Sequence, residues 1–162
     1  MAARNFHRES AAISSARILL VDDNGDGLSA RKSVLEEIGY QIVTATSGID
    51  ALAKFAASGC DLVVTDYKMP VMDGLQLIRH LRQQAPELAI VMISGYSDSL
   101  GMDEKSTGAD VVIQKSSNEV AHLVRSVNGL LKKRKPTKAP PTAKKPAAKA
   151  DGQTPGATRA KS

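Results

Sequence analysis

Two short apolar runs, each ending in aspartate, constrain this chain more than any other feature. Ile18-Leu19-Leu20-Val21 leads into Asp22-Asp23, and Leu62-Val63-Val64-Thr65 leads into Asp66. Runs of this length with no polar alternation read as strands buried on both faces, the kind found in parallel sheets. Carboxylates at the carboxyl ends of such strands converge on one edge of the sheet. Like charges at close range are costly unless a cation holds them together. The pattern therefore predicts a small divalent-metal site in which one carboxylate serves as a nucleophile.

The rest of the chain alternates in the same way. Arg17 to Val21 reads as a first strand, and Leu28 to Ile38 as a helix with Leu28, Arg31, Leu35 and Ile38 on one face and Gly39 as its stop. Gln41 to Ala45 is a second strand. Ser47 to Ala57 is a second helix, with Ile49, Leu52, Ala53 and Ala56 turned inward and Gly59 ending it. Asp61 to Thr65 is the third strand. Asp73 opens a third helix, where Gln76 completes a capping box and Leu75, Ile78 and Leu81 form the buried stripe. Ala89 to Ile93 is a fourth strand, Ser97 to Thr107 a poorly patterned helix, and Asp110 to Ile113 the fifth strand. Ser116 and Glu119 read as a capping box for the last helix, whose Val120, Leu123, Val124, Val127, Leu130 and Leu131 keep helical spacing. Alternation of this kind predicts an α/β fold, a doubly wound five-stranded parallel sheet with helices on both faces. Ligands of such sheets bind at the carboxyl edge, where the strand order reverses.

Charge divides the chain. Residues 132–162 carry ten Lys or Arg against Asp151 alone, a net of +9, so the overall +5 leaves −4 for the remainder. That segment is rich in Lys, Pro and Ala and has no aromatic residue, so it reads as a disordered tail after a domain spanning 16–131. Residues 1–15 read as a flexible leader without the apolar core of a signal peptide. No apolar run reaches the length of a membrane span. The lone cysteine, Cys60, excludes an intramolecular disulfide, and a cytoplasmic setting is expected.

Ser94, at the end of the fourth strand, and Lys115, after the fifth, share the edge with Asp22, Asp23 and Asp66. Two metal-binding acids, a central Asp, a hydroxyl and an ammonium form the inventory for phosphoryl transfer to a carboxylate. The attacked phosphorus is ringed by negative oxygens, and charge must be neutralised as the bond forms. Magnesium with hard oxygen ligands suits the task, and lysine adds a point charge.

On these residues the chain resembles the receiver domain of two-component response regulators, a chemotaxis-regulator-like domain, over about residues 16–131. The motifs are Leu20-Val21-Asp22-Asp23, the run Asp66-Tyr67-Lys68-Met69-Pro70-Val71-Met72-Asp73-Gly74, Ser94-Gly95, Gly108-Ala109-Asp110 and Lys115. The resemblance implies a flavodoxin-like strand order 2-1-3-4-5, with Asp66 as phosphoacceptor and Mg2+ as cofactor. It gives the ion Asp23 as a direct ligand, Asp22 through water, Asp66, and the backbone carbonyl of Lys68. Ser94 and Lys115 would contact the phosphoryl group. The donor would be a histidine kinase or phosphotransfer protein, and such a domain would catalyse only its own phosphorylation and dephosphorylation. Lys68 and Tyr96 fall where the family tunes phosphoryl lifetime. Two positions depart from the pattern: Ser116 stands where proline usually follows the lysine, often with a cis bond, and Val112 where a switching aromatic is common.

Three function classes follow. The first is a single-domain regulator signalling by phosphorylation-dependent protein interaction, read out on the fourth helix, fifth strand and fifth helix. Asn118, Glu119, His122, Arg125 and Ser126 line the exposed face of that last helix. The second is a phosphate shuttle within a relay. The third is a regulator whose residues 132–162 bind nucleic acid or an anionic surface without sequence preference. Asp22 to Gly27 also reads as the opening of a calcium loop. Ser33 stands where that loop needs Glu, and a strand precedes it in place of a helix, so the reading is rejected. Cys60 reads as a core residue, and His7, His80 and His122 as scattered surface residues.

Overall fold

A computed structural model describes residues 15–95 and 101–134. Residues 1–14 of the expected leader, the basic tail beyond Arg134, Tyr96, and the first part of the expected fourth helix lie outside the described residues. Five strands, β1 (Arg17–Val21), β2 (Gln41–Ala45), β3 (Leu62–Asp66), β4 (Ala89–Ser94) and β5 (Val111–Gln114), form one parallel sheet in the order β2-β1-β3-β4-β5. The helices are α1 (Gly25–Ile38), α2 (Gly48–Ser58), α3 (Gly74–Gln84), α4 (Glu104–Thr107) and α5 (Glu119–Lys133). This is the doubly wound, flavodoxin-like architecture that the alternation and the resemblance imply.

Strand side chains alternate between the two faces, and every strand in the middle of the sheet is apolar on both. Ile18 and Leu20 join Leu62, Val64, Val91 and Ile93 in a core covered by Leu28 and Leu35 of α1 and Leu123, Val127 and Leu131 of α5. Leu19 and Val21 join Val63, Ile90 and Met92 in the opposite core, under Ala51 of α2 and Leu77, Ile78 and Leu81 of α3. With no tryptophan in the chain, these two aliphatic layers are the source of stability.

Several details differ from the sequence reading. Ile38 is exposed, because the chain turns at Gly39 (φ 114°) and Tyr40 fills the core instead. In α2, Gly48 and Ala51 are buried with Leu52 and Phe55 half-buried beside them, while Ile49, Ala53 and Ala56 face solvent. The helix is rotated so that Gly48 and Ala51 turn inward; a Cβ on Gly48 would lie 2.7 Å from Met72 Sδ in the loop after β3. Helix α4 is a single turn among the described residues, capped by Asp103; the expected start at Ser97 lies outside them. Strand β5 begins one residue later than the pattern suggests, because Asp110 caps the edge with a carboxylate oxygen 2.8 Å from the Ile90 N–H. The capping box expected at α5 does not form. Asn118 occupies the N-cap without a side-chain bond, and the Glu119 carboxylate turns inward to a partner on α1. Glu119 therefore does not belong to the exposed face of that helix.

The capping box at α3 does form. The Gln76 N–H donates to Asp73 Oδ1 at 2.9 Å, and Gln76 Oε1 accepts from the Asp73 N–H at 3.0 Å. The helix starts hard against the end of β3: the Gly74 N–H donates to the Tyr67 carbonyl at 2.7 Å, and a Cβ at Gly74 would lie 2.5 Å from the Asp66 carbonyl oxygen. Backbone cannot yield as a flexible side chain does. Gly74→Ala is therefore expected to destabilise the fold by about 1–3 kcal/mol, read as a lower urea midpoint at unchanged m-value.

Candidate functional site

Each strand end delivers its residue by a continuation of the sheet ladder. The Asp22 N–H donates to the Ala45 carbonyl at 3.2 Å, the Tyr67 N–H to the Ile93 carbonyl at 2.8 Å, and the Lys115 N–H to the Ser94 carbonyl at 2.7 Å. These bonds hold the backbone just past β1, β3 and β5 in register with its neighbours. Asp22, Asp66, Ser94 and Lys115 thus stand side by side at one edge, with Asp23 following Asp22.

Asp22, Asp23 and Asp66 each offer a carboxylate oxygen, all within 4.8 Å of one another. Asp22 and Asp66 are buried, at 2% and 3% exposure, whereas Asp23 is exposed. Lys115 Nζ lies 3.0 Å from Asp66 Oδ2. Burial pushes the Asp66 carboxyl above its usual value, and the charge of Asp22 adds to the rise. The Lys115 hydrogen bond and charge, and the charge of Arg31, oppose it without cancelling it. Ser94 Oγ is the one buried side-chain polar atom without a hydrogen-bond partner among the described residues. An orphaned hydroxyl beside an acidic cluster marks a place where a ligand oxygen belongs. Lys68 lines an open cavity of about 300 Å³ with Asp23, Tyr67, Met69, Pro70 and Asp73.

Hard oxygen donors in this number, under a net negative charge, fit a divalent cation such as Mg2+. The structure brings Asp22, Asp23, Asp66, Ser94 and Lys115 together, with Lys68 at the rim. The described peptide bonds contain no cis form, Lys115–Ser116 included.

The profile of the family described as response regulator receiver domain matches residues 18–128. The chain belongs to that family. Receivers of this family are phosphoaccepting signalling domains of two-component systems rather than conventional enzymes, and they bind Mg2+ at an acidic pocket. This receiver is 31% identical over 126 residues to the transcriptional regulatory protein PrrA of Mycobacterium tuberculosis, a match covering 75% of this chain and 52% of that protein. It is 37% identical over 86 residues to the sensor kinase CckA of Brucella abortus, covering 52% of this chain and 9% of the kinase. The receiver thus matches about half the length of regulators such as PrrA. Among solved structures, it is similar to the receiver domain of a signal transduction histidine kinase from Syntrophus aciditrophicus. There the TM-score is 0.70 at 30% identity, over 80% of this chain and 99% of that one. It also resembles the response regulator TrrA of Thermotoga maritima in complex with Mg2+ and BeF. The TM-score is 0.65 at 35% identity, over 71% of this chain and 98% of that one.

Three residues at the site escaped the sequence reading of its chemistry. Asn24 Oδ1 caps α1 by accepting from the Asp26 and Gly27 N–H groups, and its own N–H donates to Asp22 Oδ1 at 2.9 Å. Arg31, buried among the apolar positions of α1, places Nη1 2.5 Å from Asp22 Oδ2. The same guanidinium binds Glu119 Oε1 through Nε at 2.7 Å and Nη2 at 2.6 Å. The visible signal was an arginine on an apolar helical stripe; its partners were not visible. Cys60, His80 and His122 take no part, and His7 lies outside the described residues. Burial, then the charge of Asp61, pushes the Cys60 thiol up to about 12, and His80 and His122 are exposed.

Because folding raises the Asp66 pKa, the folded protein holds that proton more tightly than the unfolded chain. The stability this confers is complete below the ordinary carboxylate pKa and is lost as pH rises through the raised one. Metal-free protein should therefore lose stability across that window, and Asp66→Asn, which does not ionise, should not. Urea unfolding of both proteins in chelator, at pH 4 to 7, is expected to show the variant's advantage growing with pH.

Proposed function

We propose that this receiver accepts a phosphoryl group on Asp66 from a phosphohistidine of a sensor kinase or phosphotransfer protein, and signals by a phosphorylation-dependent protein interaction. The observation that carries the reading is the buried Asp66 carboxylate at the end of β3. Lys115 Nζ stands 3.0 Å from it, two further carboxylates lie within 4.8 Å, and an unpartnered Ser94 hydroxyl completes the edge.

In the transfer, an Asp66 carboxylate oxygen attacks phosphorus. The new O–P bond forms as the N–P bond of the donor breaks, and the electron pair returns to the imidazole nitrogen. Charge on the three phosphoryl oxygens must be met by groups already in place. Lys115 meets one oxygen by moving its ammonium from Asp66 Oδ2 to the incoming group. Ser94 Oγ donates to another, gaining the partner it lacks. Mg2+, when bound, neutralises phosphoryl charge, with Asp22, Asp23, Asp66 and the Lys68 carbonyl as its holders. Lys68 is also proposed to shield the product from water.

A second reading, passage of the phosphoryl group onward in a relay, is favoured by the similarity to segments of sensor kinases. CckA is one; the sensor protein EvgS of Escherichia coli is another, at 41% identity over 73 residues. Val112 suits it too, since a shuttle needs no aromatic switch.

Incubation with Mg2+ and acetyl phosphate should add a single phosphoryl group by intact mass. Asp66→Asn and metal chelation should each abolish the adduct, while Ser94→Ala and Lys115→Ala should slow its formation at least tenfold. An adduct that survives Asp66→Asn would place the chemistry elsewhere. Rapid return of the phosphate to a histidine phosphotransfer protein would favour the relay.

A further inference from the structure

The buried Arg31 guanidinium is not needed for phosphoryl transfer as described, yet it sits deeper than any other cation near the site. Its side chain is 7% exposed, and its two carboxylate partners, Asp22 and Glu119, are 2% and 14% exposed. The partners belong to different parts of the fold. Asp22 follows β1 and stands in the acidic cluster, whereas Glu119 opens α5, 88 positions along the chain from Arg31. One rigid fork therefore spans the cation site and the first turn of the last helix.

Both carboxylate oxygens of Asp22 already accept a hydrogen bond. Oδ2 accepts from Arg31 at 2.5 Å and Oδ1 from the Asn24 N–H at 2.9 Å. A divalent cation drawing on this carboxylate competes with the guanidinium for Oδ2 and works against its positive charge. Glu119 competes for the same guanidinium from the other side. We propose that Arg31 is a positioning residue that holds Mg2+ affinity down by engaging Asp22, and that through Glu119 it makes the start of α5 sense whether the cation site is filled.

The geometry gives the coupling its sign. Mg2+ that draws Asp22 away leaves Arg31 to pair more fully with Glu119. Anything that draws Glu119 away leaves Arg31 wholly to Asp22 and weakens Mg2+ by the same factor, since linkage between two sites is reciprocal. Arginine suits this role and lysine does not, because its planar fork engages two carboxylates at once and stays charged when buried. Burial alone would lower the guanidinium pKa, but the hydrogen bonds and charges of Glu119 and then Asp22 hold it above its usual value.

The inference rests on the Mg2+ site of the proposed function, and its test separates the two. Mg2+ is titrated by calorimetry into the full chain, into Arg31→Met, into Glu119→Gln and into the double variant. Backbone amide shifts of Glu119 and Val120 are followed by NMR in the same titrations. Arg31→Met should bind Mg2+ roughly tenfold more tightly, a coupling of the size common between linked sites. Glu119→Gln should bind it more weakly, and the Glu119 effect should vanish in the double variant. A merely structural role would move both single variants in one direction. The Glu119 and Val120 amides should shift with Mg2+ in the parent and stay still in Arg31→Met. Unchanged or weaker affinity in a folded Arg31→Met overturns the proposal. Should that variant not fold, Glu119→Gln decides alone, and an affinity equal to the parent's or tighter overturns it. If the parent itself binds no Mg2+, the metal reading falls and takes the inference with it.

Discussion

Two of the three carboxylates at the head of the sheet are buried, and an aliphatic interior offers a carboxylate nothing in place of water. Cations must therefore be built in around them. Lys115 reaches Asp66 from the loop after β5, and Arg31 reaches Asp22 from within α1. Lys115 is fixed to the sheet by its backbone N–H, which donates to the Ser94 carbonyl just past β5, whereas Arg31 is held by the backbone of α1. The strand order β2-β1-β3-β4-β5 then has a chemical reason as well as a packing one. It sets the ends of β1 and β3 side by side, so that three carboxylates crowd together, and puts the ends of β4 and β5 next in line, where the hydroxyl and the ammonium stand.

The two cations differ in ways that suit different tasks. Lys115 is a point charge on a flexible stem, its side chain 41% exposed, which suits the proposed move from Asp66 to a phosphoryl oxygen. Arg31 is enclosed, forked, and held by two carboxylates, so its motion is coupled to theirs. A site that must accept and release a phosphoryl group needs the first kind of cation. A site whose occupancy must be felt elsewhere in the fold gains from the second.

Much of this was legible in the sequence because it depends on local order. Apolar runs ending in Asp22 and Asp66, the glycine stop at Gly39, the Asp73–Gln76 box and the stripe of Leu123, Val127 and Leu131 are all set by neighbours within a few residues. What escaped depends on distant partners. Periodicity alone put Ile49, Ala53 and Ala56 inward, whereas the structure buries Gly48, where Met72 leaves no room for a Cβ, together with Ala51. Glu119 has the spacing of a capping residue behind Ser116. A buried guanidinium 88 positions away binds it more strongly than an exposed backbone N–H can, and no local pattern contains that competition. The crowding of acids was likewise visible, but the orphaned Ser94 hydroxyl and the second cation were not.

Val112 sharpens the question of how occupancy of the site reaches the surface. In β5 it packs against the core shared with α3, and a β-branched side chain there has little χ1 freedom and no hydroxyl to exchange. An aromatic at this position could move between an inner and an outer rotamer; valine has only one useful place to be. Any structural consequence of filling the site must then travel through groups that have two partners and can change their share between them. Lys115 is one, between Asp66 and an incoming oxygen. Arg31 is the other: its second partner is the first residue of α5, so under the proposed coupling the response would be directed toward that helix.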